Sequence, residues 1–594
     1  MHTGPITAVL ASKDGKEVYT AGYGKEIYVW NRQTGQCELL GKHEHLINSL
    51  ALSESGELLA SASSDYTINV YDLKSRALIR TLFGHADDVE ALAFAEHDTL
   101  LVSTSRDRRA MVFNLTTGAI QTVFQGHSKD VLSLWVNQGR AFTTGDDGRA
   151  LIWDLATGAE LGEIGPFDCE LDAVSGNESI DAFAIGADDG RVMIYNASSL
   201  QLQSTLPAHD FGVKKVVFSP TGRLLLTAGY DHLIKIWSTA TGELVKELST
   251  YKYQWERALA WTTDERSILG ASFGVRYCEW SLATGELISP KWELATPSIN
   301  DLAISEKFEF ATASDDGRFR IDGKDLGRVH GTLTNGVGIS DDGQYVVWGD
   351  HASEAHIMDR THEAQIRTIR LGSGPVNSVF FCSEDQKFYV GTYGGHVHVI
   401  DPVRAEEVVS WKAHGGAVKA VQADGQYVLT CSSDNSIHLF QKGDLKKATR
   451  EFFGPTAIVN DIFLDSVNGR VISVSRDKVV RIYDLDSARI IAQHDVHRYS
   501  IKSVTVTEDG HIVSADYWGY VVIWNPRTGI LTSAIRVAEN GISALRRKGN
   551  SVYASSYDGG IYMISTDGTT KEELRLFQQG DPSSLPNTPN LQAI

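Results

Sequence analysis

The chain has 594 residues, 42% of them hydrophobic and 22% charged, so a folded chain of more than one domain is expected. A net charge of -20 argues against a phosphate-binding groove or an anionic membrane surface as the main function. The five cysteines form no CxxC pair and are expected to be reduced thiols. Neither a secretory leader nor a membrane-spanning run is read, which gives a cytoplasmic expectation.

Taken in chain order, one unit recurs. Trp30, Tyr71, Phe113, Trp153, Tyr195, Trp237 and Trp280 follow one another at intervals of 40 to 43 residues. The series resumes at Met358, Ile400, Phe440, Tyr483, Trp524 and Ile564, and a weaker copy near Ile321 and Asp322 fills the gap, giving fourteen copies. Each copy predicts four short strands. In the fourth copy these are 131–136, 140–144, 149–154 and 159–164, with alternating apolar and polar positions around an Asp-Asp-Gly turn. No helical stripe is read, so the fold class is all-β. Copies seven (about 250–292), eight (about 293–331) and nine (about 332–372) depart from the pattern.

Gly84-His85, Gly126-His127, Ala208-His209 and Ala413-His414 open their copies, while Tyr71-Asp72, Trp153-Asp154, Tyr483-Asp484 and Trp524-Asn525 close the third strands. Six residues before the anchors stand Asp65, Asp107, Asp147, Asp189, Asp231, Asp434, Asp477 and Asp558. On these residues, over about 5–577, the chain resembles the WD-repeat β-propeller family. The resemblance implies two tandem seven-bladed propellers, 1–292 and 293–577, followed by a polar C-terminal tail, 578–594. No spare strand is evident to close either ring, so closure by exchange between the rings is one expectation.

The resemblance also implies a framework of hydrogen bonds among a loop His, a turn Asp, a second-strand Ser or Thr and a third-strand Trp. It pairs His85 with Asp107, His127 with Asp147 and Trp153, His209 with Asp231 and Trp237, and His414 with Asp434. A His base oriented by Asp is the catalytic rival. Five copies carry the pair, whereas a catalytic pair is normally unique, so the framework reading is preferred. No G-x-S-x-G nucleophile elbow, HExxH or GxxxxGK[ST] motif is expected. His351, His356 and His362, and the alternating His396 and His398, are candidate metal ligands, but no nearby Cys or regular carboxylate completes a set, so no metal site is expected. No catalytic residue, cofactor or metal site is expected.

Binding residues belong on loops carried by the frame. The family resemblance implies two readable top-face positions. One precedes the turn Asp and holds Tyr23, Arg106, Tyr230 and Phe273, then Tyr393, Arg476, Tyr517 (with Trp518 beside it) and Tyr557. The other lies early on the first strand and holds Arg257, Asn300, Asn335, Asn377 and Asn460, among others. Aromatic, Arg and amide side chains suit a protein-binding surface. The expected function is therefore a non-enzymatic scaffold holding other proteins in a cytoplasmic multiprotein complex, a subunit of a hetero-complex without direct nucleic-acid binding or membrane insertion. The alternatives are a small-ligand or catalytic site in one central channel, and a resemblance to tandem-propeller actin-interacting proteins resting on length and the two-ring plan.

Overall fold

The computed structural model describes residues 2–210, 212–231, 233–249, 258–272, 276–288, 298–327, 333–361, 366–549, 551–565 and 571–574. Among them the only helical segments are two short 3-10 turns, Glu178–Ile180 and Ser466–Asn468, and none is long and apolar enough to cross a membrane. Everything else regular is antiparallel sheet. The chain divides into two compact units, Met1–Ala295 and Thr296–Ile594.

Unit one contains seven sheets, blades 1 to 7, over 6–42, 47–82, 89–124, 131–164, 171–207, 213–249 and 258–281. Unit two contains blades 8 to 14, over 299–327, 334–370, 376–412, 418–452, 459–494, 501–536 and 542–574. Each blade has four strands in sequence order, except that the described part of blade 7 has three. The weak eighth and ninth copies are full four-stranded blades, although the third strand of blade 8 shrinks to Phe319–Ile321.

Burial explains the arrangement. The second strand of a blade is buried along nearly its whole length, as in Leu100–Ser105, whereas the fourth is open, as in Glu406–Lys412. A sheet buried on both faces near one edge needs a neighbour on each side, which a ring supplies. The apolar clusters accordingly span adjacent blades: Phe142 and Ile152 of blade 4 pack with Phe183 and Tyr195 of blade 5. A fully buried Leu, Ile or Phe side chain contributes about 1.5–3 kcal/mol relative to exposure, so the blade interfaces hold each ring.

Among the described residues, the first and last blades of each unit pack against each other. Ile6 and Trp30 of blade 1 pack with Ala260 and Leu269 of blade 7, and the Ile6 N–H donates to the Ser272 carbonyl at 2.6 Å. Ile299 and Leu302 of blade 8 pack with Ala544 and Tyr553 of blade 14. Among the described residues, packing plus a few polar contacts holds each seam. The tail at 578–594 lies outside the described residues.

Candidate interaction rims

A β-bulge marks the start of the inner strand in thirteen blades, and in the seventh the corresponding residue, Arg257, lies outside the described residues. The ladder skips one residue, which re-aims its side chain. The skipped residues are Thr7, Asn48, Glu90, Leu132, Asp172 and Lys214 in unit one, and Asn300, Asn335, Asn377, Lys419, Asn460, Lys502 and Ser543 in unit two. These are the first-strand positions singled out in the sequence. The pre-turn position lies beside them, because its backbone N–H donates to the carbonyl just before the inner strand. Tyr23 bonds Pro5 at 2.8 Å, Arg106 bonds Asp88 at 3.0 Å and Tyr230 bonds Gly212 at 3.0 Å. In unit two Tyr393 bonds Pro375 at 2.8 Å, Arg476 bonds Ile458 at 2.9 Å, Tyr517 bonds Ser500 at 3.1 Å and Tyr557 bonds Gly541 at 3.0 Å. Phe273 lies outside the described residues.

The rim of unit one is dominated by carboxylates. Arg106 engages Glu90, with Asp130 at 3.5 Å and Asp88 at 3.7 Å. Lys214 pairs with Asp172, lies 3.8 Å from Asp188 and sits 4.5 Å over the Tyr230 ring. Burial, with Glu170 and Asp130 nearby, pushes the Asp146 carboxyl well above its usual range. Burial, opposed by Lys214 and reinforced by Asp172 and Glu170, brings Asp188 up to about 7. Arg106 and Tyr230 are thus engaged within the rim itself.

The rim of unit two opens onto a cavity of about 750 Å³. Asn300, Asn335, Asn377, Asn460, Tyr393, Arg476, Tyr517 and Tyr557 all line it, together with Lys419 and Lys502. Trp518 does not, and stacks instead on Tyr499 at 4.0 Å. Tyr517 and Tyr557 stack at 6.2 Å, while Lys419 lies 4.9 Å over Tyr393 and Lys502 5.9 Å over Tyr517.

The asparagines have a role that the sequence reading missed. Asn377 donates to the Val418 carbonyl at 2.8 Å, Asn460 to Ile501 at 2.7 Å and Asn300 to Thr334 at 2.9 Å, each acceptor lying just before the next blade's bulge. Asn48 does the same to Val89 at 3.0 Å in unit one. They stitch blade to blade. Asn335 instead bonds His351 Nε2 at 2.7 Å. The recurrence of Asn at one repeat position was the available signal. One residue further in, Asp301 and Asp461 accept the backbone N–H groups of Val337 and Val504 at 3.1 and 3.0 Å, and burial raises both carboxyls despite Arg546.

The His–Asp pairs form frames. His85 contacts Asp107 at 2.9 Å and Ser103 at 2.7 Å, His127 contacts Asp147 and Thr143 at 3.0 Å each, and His209 contacts Asp231 and Thr227 at 2.8 Å each. Burial alone would raise the carboxyls of Asp107, Asp147 and Asp231, but the facing imidazoles hold them below their usual range. Trp237 completes its set by donating to Thr227 at 3.0 Å. Trp153 does not: its indole N–H has no partner, and the ring stacks on Phe124 at 4.9 Å. His414 reaches Asp434 mainly through Ser436, at 2.7 Å from the ring. Two further sets use other positions, His497 with Asp516 at 2.9 Å and His356 with Asp350 at 3.0 Å.

The other candidate ligand histidines hydrogen-bond to separate partners, although the His396 and His398 rings lie 6.2 Å apart. His351 bonds Asn335, His398 bonds Glu407 at 2.8 Å, His396 bonds the Gly394 carbonyl, and His362 lies outside the described residues. Asp350, Glu354 and His356 do bring ligand atoms within 4.8 Å, but His356 is held by Asp350 and Thr368, and Glu354 pairs with Arg370. Contrary to the expectation that no G-x-S-x-G string is present, one runs from Gly270 to Gly274. Its Ser272 is 1% exposed, follows the second strand Ser267–Ala271, and its carbonyl accepts the Ile6 N–H at the seam, whereas a nucleophile elbow needs a strand-to-helix turn.

Rings of radially arranged four-stranded blades, with a His–Asp–Ser/Thr set recurring between the inner loop and the second strand, define a β-propeller repeat protein. The family model described as WD domain, G-beta repeat matches residues 1–31, 36–72, 76–114, 118–154, 200–238 and 405–441. Among curated proteins it is similar to Actin-interacting protein 1 of Drosophila melanogaster, 21% identical over 43% of this chain and 37% of that protein. Nuclear distribution protein PAC1-1 of Uncinocarpus reesii is 29% identical over 46% of this chain and 68% of its own length. Autophagy-related protein 16 of Arabidopsis thaliana is 22% identical over 50% and 51%. The chain thus spans only part of each relative's length.

Proposed function

We propose that this chain is a non-enzymatic scaffold that gathers other proteins into a cytoplasmic complex, with the rim of unit two as its principal contact surface. The observation that carries the reading is the meeting of Tyr393, Tyr517, Tyr557 and Arg476 around one cavity, on turns beside the inner-strand bulges of the ring. Tyrosine and arginine are the side chains that dominate binding energy at protein interfaces. The corresponding rim of unit one is engaged in its own ion pairs.

The test is affinity purification of the wild-type chain and of a Tyr393→Ala, Tyr517→Ala, Tyr557→Ala triple variant, followed by mass spectrometry of what is retained. Loss of specific partners with an unchanged melting temperature supports the reading. Retention of every partner removes this rim from consideration. The name of the actin-interacting relative motivates one added arm, co-sedimentation with filamentous actin.

A further inference from the structure

We infer that the rim of unit two recognises an acidic peptide segment, its aspartate or glutamate side chains seated among Lys419, Arg476 and Lys502. This rests on the proposed role of the rim as a protein-contact surface and adds the chemistry of what it takes.

Three cations face the same end of the cavity. Lys502 forms no ion pair among the described residues; its ammonium group lies over Tyr517, as that of Lys419 lies over Tyr393. An aromatic face orients a cation without neutralising it, so the Lys502 charge stays available to an incoming carboxylate. Arg476 adds a planar fork of donors suited to bidentate carboxylate binding. The carboxylate at a pre-turn position of this rim, Asp315, accepts a hydrogen bond from Asn300 at 2.8 Å.

One residue inward lie Asp461 and Asp301, the latter paired with Arg546, and the rest of the lining adds Glu384, Asp424, Asp465 and Arg547. The cations at the rim favour docking of an acidic ligand at the mouth of the ring. The corresponding rim of unit one bears the opposite sign, with Glu90, Asp130, Asp146, Asp172 and Asp188 outnumbering Arg106 and Lys214. The two rims are thus not interchangeable. The net charge of -20 repels long polyanions while leaving a short acidic segment free to use the local field. Half-buried tyrosines around the cations supply the apolar contact that a peptide, unlike a bare ion, can use.

The experiment is a random-peptide display selection on the immobilised full chain, run in parallel on Lys502→Glu and Arg476→Glu variants and on a milder Lys419→Gln variant, each checked by circular dichroism and melting temperature. The expected result is enrichment of Asp and Glu on the wild type. An enriched peptide, titrated by fluorescence anisotropy, should bind at least tenfold more weakly to Lys502→Glu and lose affinity as salt rises from 50 to 300 mM. Selected peptides without acidic enrichment, or binding indifferent to all three substitutions, overturn the inference. If that happens while the triple tyrosine variant still loses its partners, the contact surface stands and only its acidic specificity falls.

Discussion

Arg546 Nη2 lies 2.7 Å from Asp301 Oδ1 across 245 residues of sequence. Unit one carries a counterpart: Arg32 Nε lies 3.1 and 3.0 Å from the two Glu279 oxygens across 247 residues. Each pair ties the last blade of a ring to its first, where the chain itself supplies no connection. Arg32 also donates to Ser267 at 3.1 Å, so one guanidinium spans two strands of blade 7.

Removing one partner should therefore open a seam. Glu279 is only 9% exposed and Arg32 21%, so Arg32→Met leaves a largely buried carboxylate unpaired. Breaking a fully buried pair costs about 3–5 kcal/mol, and partial exposure reduces this to about 2–3 kcal/mol. Urea unfolding should show unit one weakened by that amount. A change below about 0.5 kcal/mol would mean that packing at the seam suffices without the pair.

The framework tryptophans should respond unequally. Trp237→Phe removes a buried donor from Thr227, while Trp153→Phe removes an N–H that bonds nothing and leaves an aromatic ring to stack on Phe124. The first should cost about 1 kcal/mol more than the second, the usual net worth of a buried hydrogen bond. Equal melting temperatures for the two variants would show that the Trp237 bond is energetically idle.

The repeat unit was legible because its determinants are local. Strand alternation, the Gly and Asp turns and the forty-residue period all lie within one copy, and the strand Ala150–Asp154 falls inside the stretch read from sequence as 149–154. The pairs His85–Asp107, His127–Asp147 and His209–Asp231 were readable for the same reason. What escaped notice is non-local or positional. The seam pairs join residues some 245 positions apart and carry no motif. His497–Asp516 and His356–Asp350 rebuild the frame from displaced positions, so a fixed offset misses them. Asn377 and Asn460 looked like surface donors because their acceptors belong to the following blade.

That misreading can be tested separately from binding. Asn460 is 6% exposed and its amide N–H reaches the Ile501 carbonyl, so Asn460→Ala leaves a buried acceptor unmet. The expected loss is about 1–2 kcal/mol of stability. Tyr557→Ala, at a half-buried rim position, should cost less stability and more binding. Thermal unfolding and partner capture on the same two variants separate the stitch from the contact. If Asn460→Ala melted like the wild type while losing partners, asparagine would belong to the binding surface after all.

The acidic rim of unit one predicts a pH dependence with a definite sign. In the folded ring Asp188 titrates at about 7, raised by burial against the pull of Lys214 and with the push of Asp172 and Glu170. In the unfolded chain an aspartate titrates near 4. The folded state thus holds this proton more tightly, so its contribution to stability is full below about 4 and disappears as pH rises through 7. Asp188→Asn keeps a neutral side chain at every pH and leaves Lys214 its contact with Asp172. The melting temperature of the variant relative to wild type should therefore rise between pH 5 and pH 8. The side chain is 36% exposed, so solvent screening makes the effect modest, and added salt should shrink it further. A gap that stayed constant over that pH range would mean that Asp188 ionises as an ordinary surface carboxylate, and that the crowding of Glu170, Asp172 and Asp188 around Lys214 is relieved in solution.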